Sequence, residues 1–368
     1  MPIVMASSAS SSGSSDLCAS LAQVPPKLTQ LEDTVSSKAG ASHMPLVFER
    51  LSRLLKTVRR AQSDKPPECK GAATTSGSLD DLHARLWRLH ASARKKARSS
   101  SRPLTILPLG DSITDGGAKQ RAYRYHLRAI LESAGYHPTF MGSMHGVYDH
   151  QQGRNASSGV VVSGSAAADW PAAAQGHEGH WGWTSRQLLR GHERQPQRGS
   201  MREWIARYHE SAHAPDVVLL HIGTNDLTKL VLKDNGPHER VASVARRAQT
   251  IVHKLCTAYP RVRVLVAAPL IPYCRFREDD PTRRAERARL RATTERDYGR
   301  RLCAAVTDHG KHGCKLGARA VSCVNMSAAV SCNHLVGDGV HPAASGARRM
   351  AQAWARELFA AAADVHSK

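Results

Sequence analysis

The chain has 368 residues, a formal net charge of +21, and 41% hydrophobic but only 5% aromatic residues. That length holds one large domain with an appendage or two modest ones, with enough Leu, Val, Ile and Ala for a sizeable core. No run of 18 or more apolar residues occurs, which argues against a membrane-spanning helix. The charge suits polyanions such as nucleic acid, anionic polysaccharide or a membrane surface, and is silent about fold.

The first 24 residues, MPIVMASSASSSGSSDLCASLAQV, lack a basic n-region and a continuous apolar h-region, so they do not read as a secretory signal. Residues 1–102 read as a low-complexity, basic, largely disordered extension. They carry Ser-rich stretches at 7–15 and 99–101, a Pro-Pro pair at 66–67 and the basic run Arg94-Lys95-Lys96-Ala97-Arg98. Two short helical patches, Leu46 to Val58 and Leu79 to Leu89, interrupt it. The basic run reads as a solvated linker rather than a nucleic-acid site, and no specific nucleic-acid partner is expected.

From Pro103 onward, short apolar runs alternate with helical segments, the pattern of parallel βαβ units. The first strand is Leu104 to Leu109, followed by a tight turn and a helix near Tyr123 to Ala134. A short second strand is expected at Thr139 to Gly142, and a third at Asp216 to Ile222. The third strand's near-continuous apolar character fits burial on both faces. A helix over Glu239 to Ala258, a strand over Val262 to Ala267 and a charged helix over Pro281 to Asp308 follow. A last strand at Val321 to Asn325 and a closing helix from Ala343 to Ala361 complete the pattern. The expectation is α/β: a three-layer α/β/α sandwich around a five-stranded parallel sheet.

In such sheets functional groups gather beyond the carboxyl ends of the strands. Gly110-Asp111-Ser112-Ile113 follows the first strand, where a serine at a helix start lies among free backbone N–H groups able to hold an oxyanion. Read alone, the tetrapeptide is also an ordinary helix cap. Gly223-Thr224-Asn225-Asp226 follows the third strand, and Asn225 there can aim its amide at the same oxyanion, or simply form a turn. Between them lies Gly176-His177-Glu178-Gly179-His180-Trp181-Gly182-Trp183-Thr184, in which Gly182 offers a third, backbone donor. Near the end, Asp338-Gly339-Val340-His341 lets one loop present a carboxylate beside an imidazole. In that arrangement Asp338 orients His341, and His341 takes the Ser112 proton.

These four blocks, in this order, resemble the SGNH, or GDSL-type, hydrolase family over residues 103–362. The resemblance implies a flavodoxin-like hydrolase domain over 103–368, with Ser112, Asp338 and His341 catalytic. Ser112, Gly182 and Asn225 would form the oxyanion hole, with no metal and no cofactor. The phrases GHEGHWGWT, VVLLHIGTNDL and DGVHP are most similar to carbohydrate acetylesterases of the family-three, acetylxylan esterase type. That similarity implies removal of acetyl groups from a decorated carbohydrate. A lysophospholipase or thioesterase is the alternative within the fold, and a non-catalytic binding protein with a basic tail the alternative outside it.

Other residues carry open readings. Trp181 and Trp183 stack on a sugar ring or belong to the core. His177, Glu178 and His180 suggest a metal site only without H-E-x-x-H spacing, and read more simply as a loop beside the pocket. Arg124 reads as a simple exposed arginine rather than as a brace for the helix start or for the loop carrying Asp338, and the segment His145 to Gln175 as a flap beside the site. Eight cysteines, four of them between 303 and 332, fit disulfides or buried thiols and show no zinc spacing. Localisation and oligomeric state have no signal in the sequence.

Overall fold

The computed structural model describes residues 19–36, parts of 47–58 and 82–92, and 102–117, 122–149, 154–155, 170, 174–210, 214–232, 237–268, 281–307, 314–315 and 320–363. The chain divides into two compact units. One comprises residues 1–102 with 133–136 and 365–368, and the other residues 103–132 and 137–364.

In the first unit a helix not anticipated from the sequence, α1 (Val24–Ser36), buries Val24, Leu28, Leu31 and Val35. That spacing puts the four on one helical stripe. Leu51, Leu54 and Val58, and likewise Leu82, Leu86 and Leu89, are buried at helical intervals. Arg85 pairs with Glu32 at 2.7 Å. The remainder of 1–102, expected to be disordered, lies outside the described residues.

The second unit contains β1 (Arg102–Gly110), a one-turn α2 (Ser112–Asp115), α3 (Tyr123–Ser133), β2 (Tyr136–Phe140) and β3 (Met144–His145). Then come β4 (Tyr148–Asp149), β5 (Arg154–Asn155), β6 (Gly176–Gly179), α4 (Ser185–Arg190), α5 (Met201–Glu210), β7 (Val217–His221) and α6 (Thr224–Leu232). The chain continues through α7 (Pro237–Ala258), β8 (Arg263–Ala268), α8 (Pro281–Thr307), β9 (Val321–Asn325), α9 (Met326–Ala329) and α10 (Ala344–Ala363).

The main sheet runs β3-β6-β1-β7-β8-β9, with β2 also on β1. The pairs β6–β1, β1–β7, β7–β8 and β8–β9 are parallel, and β3–β6 is antiparallel. The sheet thus has seven strands, correcting the five expected. β1 carries both β2 and the unforeseen β6, and β3 adds a short antiparallel edge. The segment expected as a flap holds the small β4–β5 pair and a buried Trp170. Most of it lies outside the described residues.

Both faces of the central strands are covered, as their continuous apolar sequences require. Leu107, Leu109, Val218, Leu220, Val264 and Val266 join one cluster with Val244, Ile251 and Leu255 of α7 and Tyr298, Leu302 and Val306 of α8. The alternate residues Ile106, Leu219 and Leu265 are equally buried and, by the two-residue period of a strand, face the other way. There Tyr123 of α3 meets Trp354 of α10, with ring centroids 6.1 Å apart. The charged segment of α8 is therefore solvated on one side only. Disulfides Cys256–Cys314 and Cys303–Cys323 tie the ends of α7 and α8 to the chain around β9, and Cys332 is also disulfide-bonded.

Candidate active site

Gly110 ends β1 because only a residue without a side chain fits there. A Cβ would lie 2.2 Å from the His221 carbonyl oxygen and 2.5 Å from Thr114 Oγ1. The chain then turns through Asp111, which caps α2 by accepting the Ile113 N–H at 3.0 Å. Ser112 becomes the first helical residue, buried to 5% exposure. Its backbone N–H, like any in a first turn, has no partner within the helix.

Far along the chain, the loop before α10 brings His341 to this serine. His341 Nε2 lies 2.9 Å from Ser112 Oγ, and His341 Nδ1 lies 2.7 Å from Asp338 Oδ2. Asp338 Oδ1 also accepts the backbone N–H groups of Val340 and His341, at 2.8 and 3.0 Å. The loop is closed on itself by Val336 N–H to His341 O at 2.9 Å and Gly339 N–H to Val336 O at 2.9 Å. Partial burial pushes the Asp338 carboxyl up, but the hydrogen bonds from the His341 ring, its N–H and that of Val340 outweigh it. The group is held below its ordinary range. A carboxylate that stays ionised beside Nδ1 fixes the tautomer in which Nε2 is free to accept the Ser112 proton.

The proposed oxyanion donors sit on two neighbouring elements. Gly182 takes a left-handed conformation, φ 77°, and a side chain there would meet nothing within 4 Å. Asn225, in the first turn of α6, donates from Nδ2 to the Trp183 carbonyl at 2.9 Å, leaving its second N–H for another acceptor. Sequence reading missed Asp226, which holds these elements together. It accepts the N–H and hydroxyl of Ser185 at 2.8 and 2.7 Å and pairs with Arg247 at 3.0 Å. Gly223 enters this turn at φ +119°, pressed against the Tyr298 hydroxyl.

The two tryptophans separate. Trp181 is half-buried and stacks on His341, centroids 4.6 Å apart and 15° between planes. Trp183 is 1% exposed, stacked on His180 and bonded through its indole N–H to Gln195, so of the two readings offered for it the core one holds, not the substrate contact.

His177, Glu178 and His180 are not loop residues beside a pocket. His177 and Glu178 lie in the fully buried β6, and His180 just follows it. Glu178 accepts hydrogen bonds from the Ser143 N–H and hydroxyl and from Tyr208 OH, with His180 Nε2 at 3.1 Å. Burial, reinforced by the charge of Arg124, holds His177 well below its ordinary value. Among the described residues no group of three or more His, Cys, Asp or Glu is placed to hold a metal ion.

Arg124, expected to be exposed, is fully buried. It donates to the carbonyls of Thr114, Asp115, Gln175 and Gly146 at 3.0, 2.9, 2.7 and 2.6 Å, with Trp170 4.9 Å from its guanidinium carbon. It thereby clamps the end of the nucleophile turn to the segment entering β6. Asp111, beside the serine, is pushed up to about 7 by burial and by the charge of Asp226, despite the opposing Ile113 N–H. Burial takes the adjacent His221 down to about 4.

A parallel α/β sheet with a Ser–His–Asp chain at the carboxyl ends of its strands defines a serine hydrolase. The model of the GDSL-like lipase/acylhydrolase family matches residues 106–354; the chain belongs to that family and is a serine ester hydrolase. No curated protein matches the sequence. Similar solved structures include a family 3 carbohydrate esterase from Talaromyces cellulolyticus, with 21% identity, coverage of 71% of this chain and 99% of that one, and a TM-score of 0.44. A family 3 carbohydrate esterase from Clostridium thermocellum shows 21% identity over 72% and 99%, at 0.44. An acetylxylan esterase from Geobacillus stearothermophilus shows 20% identity over 69% and 94%, at 0.37.

Proposed function

We propose that the chain removes acetyl groups from a carbohydrate through an acetyl-Ser112 intermediate. The observation that carries the mechanism is the unbroken chain Ser112 Oγ–His341 Nε2–His341 Nδ1–Asp338 Oδ2, at 2.9 and 2.7 Å. In this reading Ser112 Oγ attacks the ester carbonyl as its proton passes to His341 Nε2. The oxyanion is received by the N–H groups of Ser112 and Gly182 and the Asn225 amide. His341 returns the proton to the departing sugar hydroxyl. It then takes a proton from water, which attacks the acetyl-serine and releases acetate.

The choice of a small acyl group on a sugar rests on two supports. The phrases around Gly182, Asn225 and His341 resemble family-three acetylesterases. The cavity beside Gly182 and Asn225, about 990 Å³, is lined by Thr184, Arg186, Gln187, Arg190 and His192 rather than by the apolar walls a long acyl chain needs. Trp181 supplies an aromatic face against His341.

A series of p-nitrophenyl esters tests the acyl preference. The expected result is a kcat/KM maximum at acetate, falling about tenfold or more by butyrate as extra methylenes find no pocket. A maximum at octanoate or longer would replace this reading with the lysophospholipase or thioesterase alternative.

A further inference from the structure

The cavity beside the oxyanion donors has a charge that the deacetylation chemistry does not require. Arg186 and Arg190 stand one turn apart on α4, and Arg194 follows in the next turn; all three line the cavity and are exposed. None makes an ion pair or a side-chain hydrogen bond with another described residue. Some other arginines of this unit are held in place: Arg247 by Asp226, Arg291 by Glu295, Arg301 by Asp297, and Arg124 and Arg263 by backbone carbonyls. Glu193 and Glu203 share the lining, so the wall is mixed, but the arginines outnumber them.

Residues at i and i+4 share one helix face, their Cβ atoms about 6 Å apart, and each guanidinium presents two parallel donors to an oxyanion. The same cavity is bounded by Gly182 and Asn225. In the deacetylase reading Gly182 and Asn225 receive the oxyanion, so an anion held by the arginines would belong to the molecule whose ester is cleaved.

We infer that Arg186, Arg190 and Arg194 form a subsite for an anionic sugar, a uronate carboxylate or a sulfate ester, next to the acetylated residue of the substrate. This inference rests on the carbohydrate deacetylase reading above. The net charge of +21 favours approach of such a polyanion.

The test compares wild type with the triple variant Arg186→Gln, Arg190→Gln, Arg194→Gln on four substrates. They are p-nitrophenyl acetate, O-acetylated polygalacturonate, the same polymer with its carboxyls methyl-esterified, and O-acetylated dextran sulfate. In wild type, KM for the acidic polymer is expected to lie about tenfold below that for its neutral ester, and the gap to shrink as salt screens the charges. In the variant the gap disappears, while kcat/KM on p-nitrophenyl acetate stays within about twofold. Preference for polygalacturonate over dextran sulfate assigns the subsite to a carboxylate, and the reverse assigns it to a sulfate. Equal KM for the charged and neutral polymers in wild type, or an unchanged gap in the variant, overturns the inference. Titration of polygalacturonate oligomers without acetyl groups, read by calorimetry, tests the arginines independently of turnover. Binding by wild type and not by the variant supports the subsite even if acetyl esters prove to be the wrong substrates, and no binding by wild type removes it.

Discussion

At the scale of single residues, the site couples an exposed catalytic loop to a buried floor. Asp338 and His341 retain side-chain exposures of 47% and 24%, whereas Asp111, one residue before the nucleophile, is wholly buried. Asp111 predicts a pH signature. Its folded value of about 7 lies above the ordinary 3.8, so between these limits the folded state holds a proton that the unfolded state releases. Stability contributed by this group is therefore highest below about pH 4, falls through pH 4–7, and is constant above. Asp111→Asn keeps the acceptor for the Ile113 N–H and removes the titration. Its stability relative to wild type is expected to rise by on the order of 2 kcal/mol between pH 5 and pH 8. Urea midpoints at the two pH values measure this, and a pH-independent difference would refute the assignment.

Ser112 and Asn225 were legible as candidates because each follows a strand whose apolar run announces it, and Asp338 and His341 because of their own D-x-x-H spacing ahead of the closing helix. Asp111 was read only as a cap, since its burial depends on His221 and Asp226, more than a hundred positions away.

At the scale of elements, Arg124 is the joint between α2, α3 and the approach to β6. Replacing it by Met leaves four carbonyls without their donor. A loss of about 3–5 kcal/mol is expected, seen as a lowered denaturant midpoint, with activity falling as the Ser112 turn loosens. Arg124→Lys is expected to recover only part of this, because an ammonium cannot reach four carbonyls in the plane of a guanidinium. A midpoint within about 0.5 kcal/mol of wild type for the Met variant would contradict the clamp.

The strands β1, β7, β8 and β9 and the helices α7, α8 and α10 were readable from periodicity, their ends within a few residues. β6 was not. Gly176-His177-Glu178-Gly179 has no apolar residue, and it is buried only because Ser143, Tyr208 and His180 satisfy Glu178 and because Gly179 admits the Asp115 backbone, 2.5 Å from where a Cβ would stand. The short helices α4 and α5 also escaped. α4 is only six residues long, α5 went unread although Met201, Trp204, Ile205 and Tyr208 stand at helical spacing, and their position is set by Asp226 gripping Ser185 and by Trp183 and Trp204 stacking around His180.

At the scale of the molecule, two disulfides fix the half of the sheet farthest from the nucleophile. Cys256–Cys314 spans 58 positions and Cys303–Cys323 spans 20, so each removes substantial freedom from the unfolded chain. Removing these two bridges by Cys→Ser substitution, which leaves the Cys332 bridge intact, is expected to lower stability by about 3–7 kcal/mol in total. This would appear as a drop in Tm of the substituted protein, while the distance from β1 leaves its turnover unchanged at moderate temperature. An unaltered Tm in the substituted protein would show that the helices and β9 hold without the bridges. The cysteine count admitted either pairing or buried thiols, because sequence spacing says nothing of which segments fold against one another.

The account stands on Ser112 as the group that takes the acyl chain. Intact-mass analysis after treatment with a fluorophosphonate, followed by peptide mapping, examines that claim most directly. One adduct per chain on the peptide containing Ser112, lost in Ser112→Ala and strongly slowed in His341→Ala, is the predicted result. An adduct on any other residue, or undiminished hydrolysis of p-nitrophenyl acetate by Ser112→Ala, would contradict it.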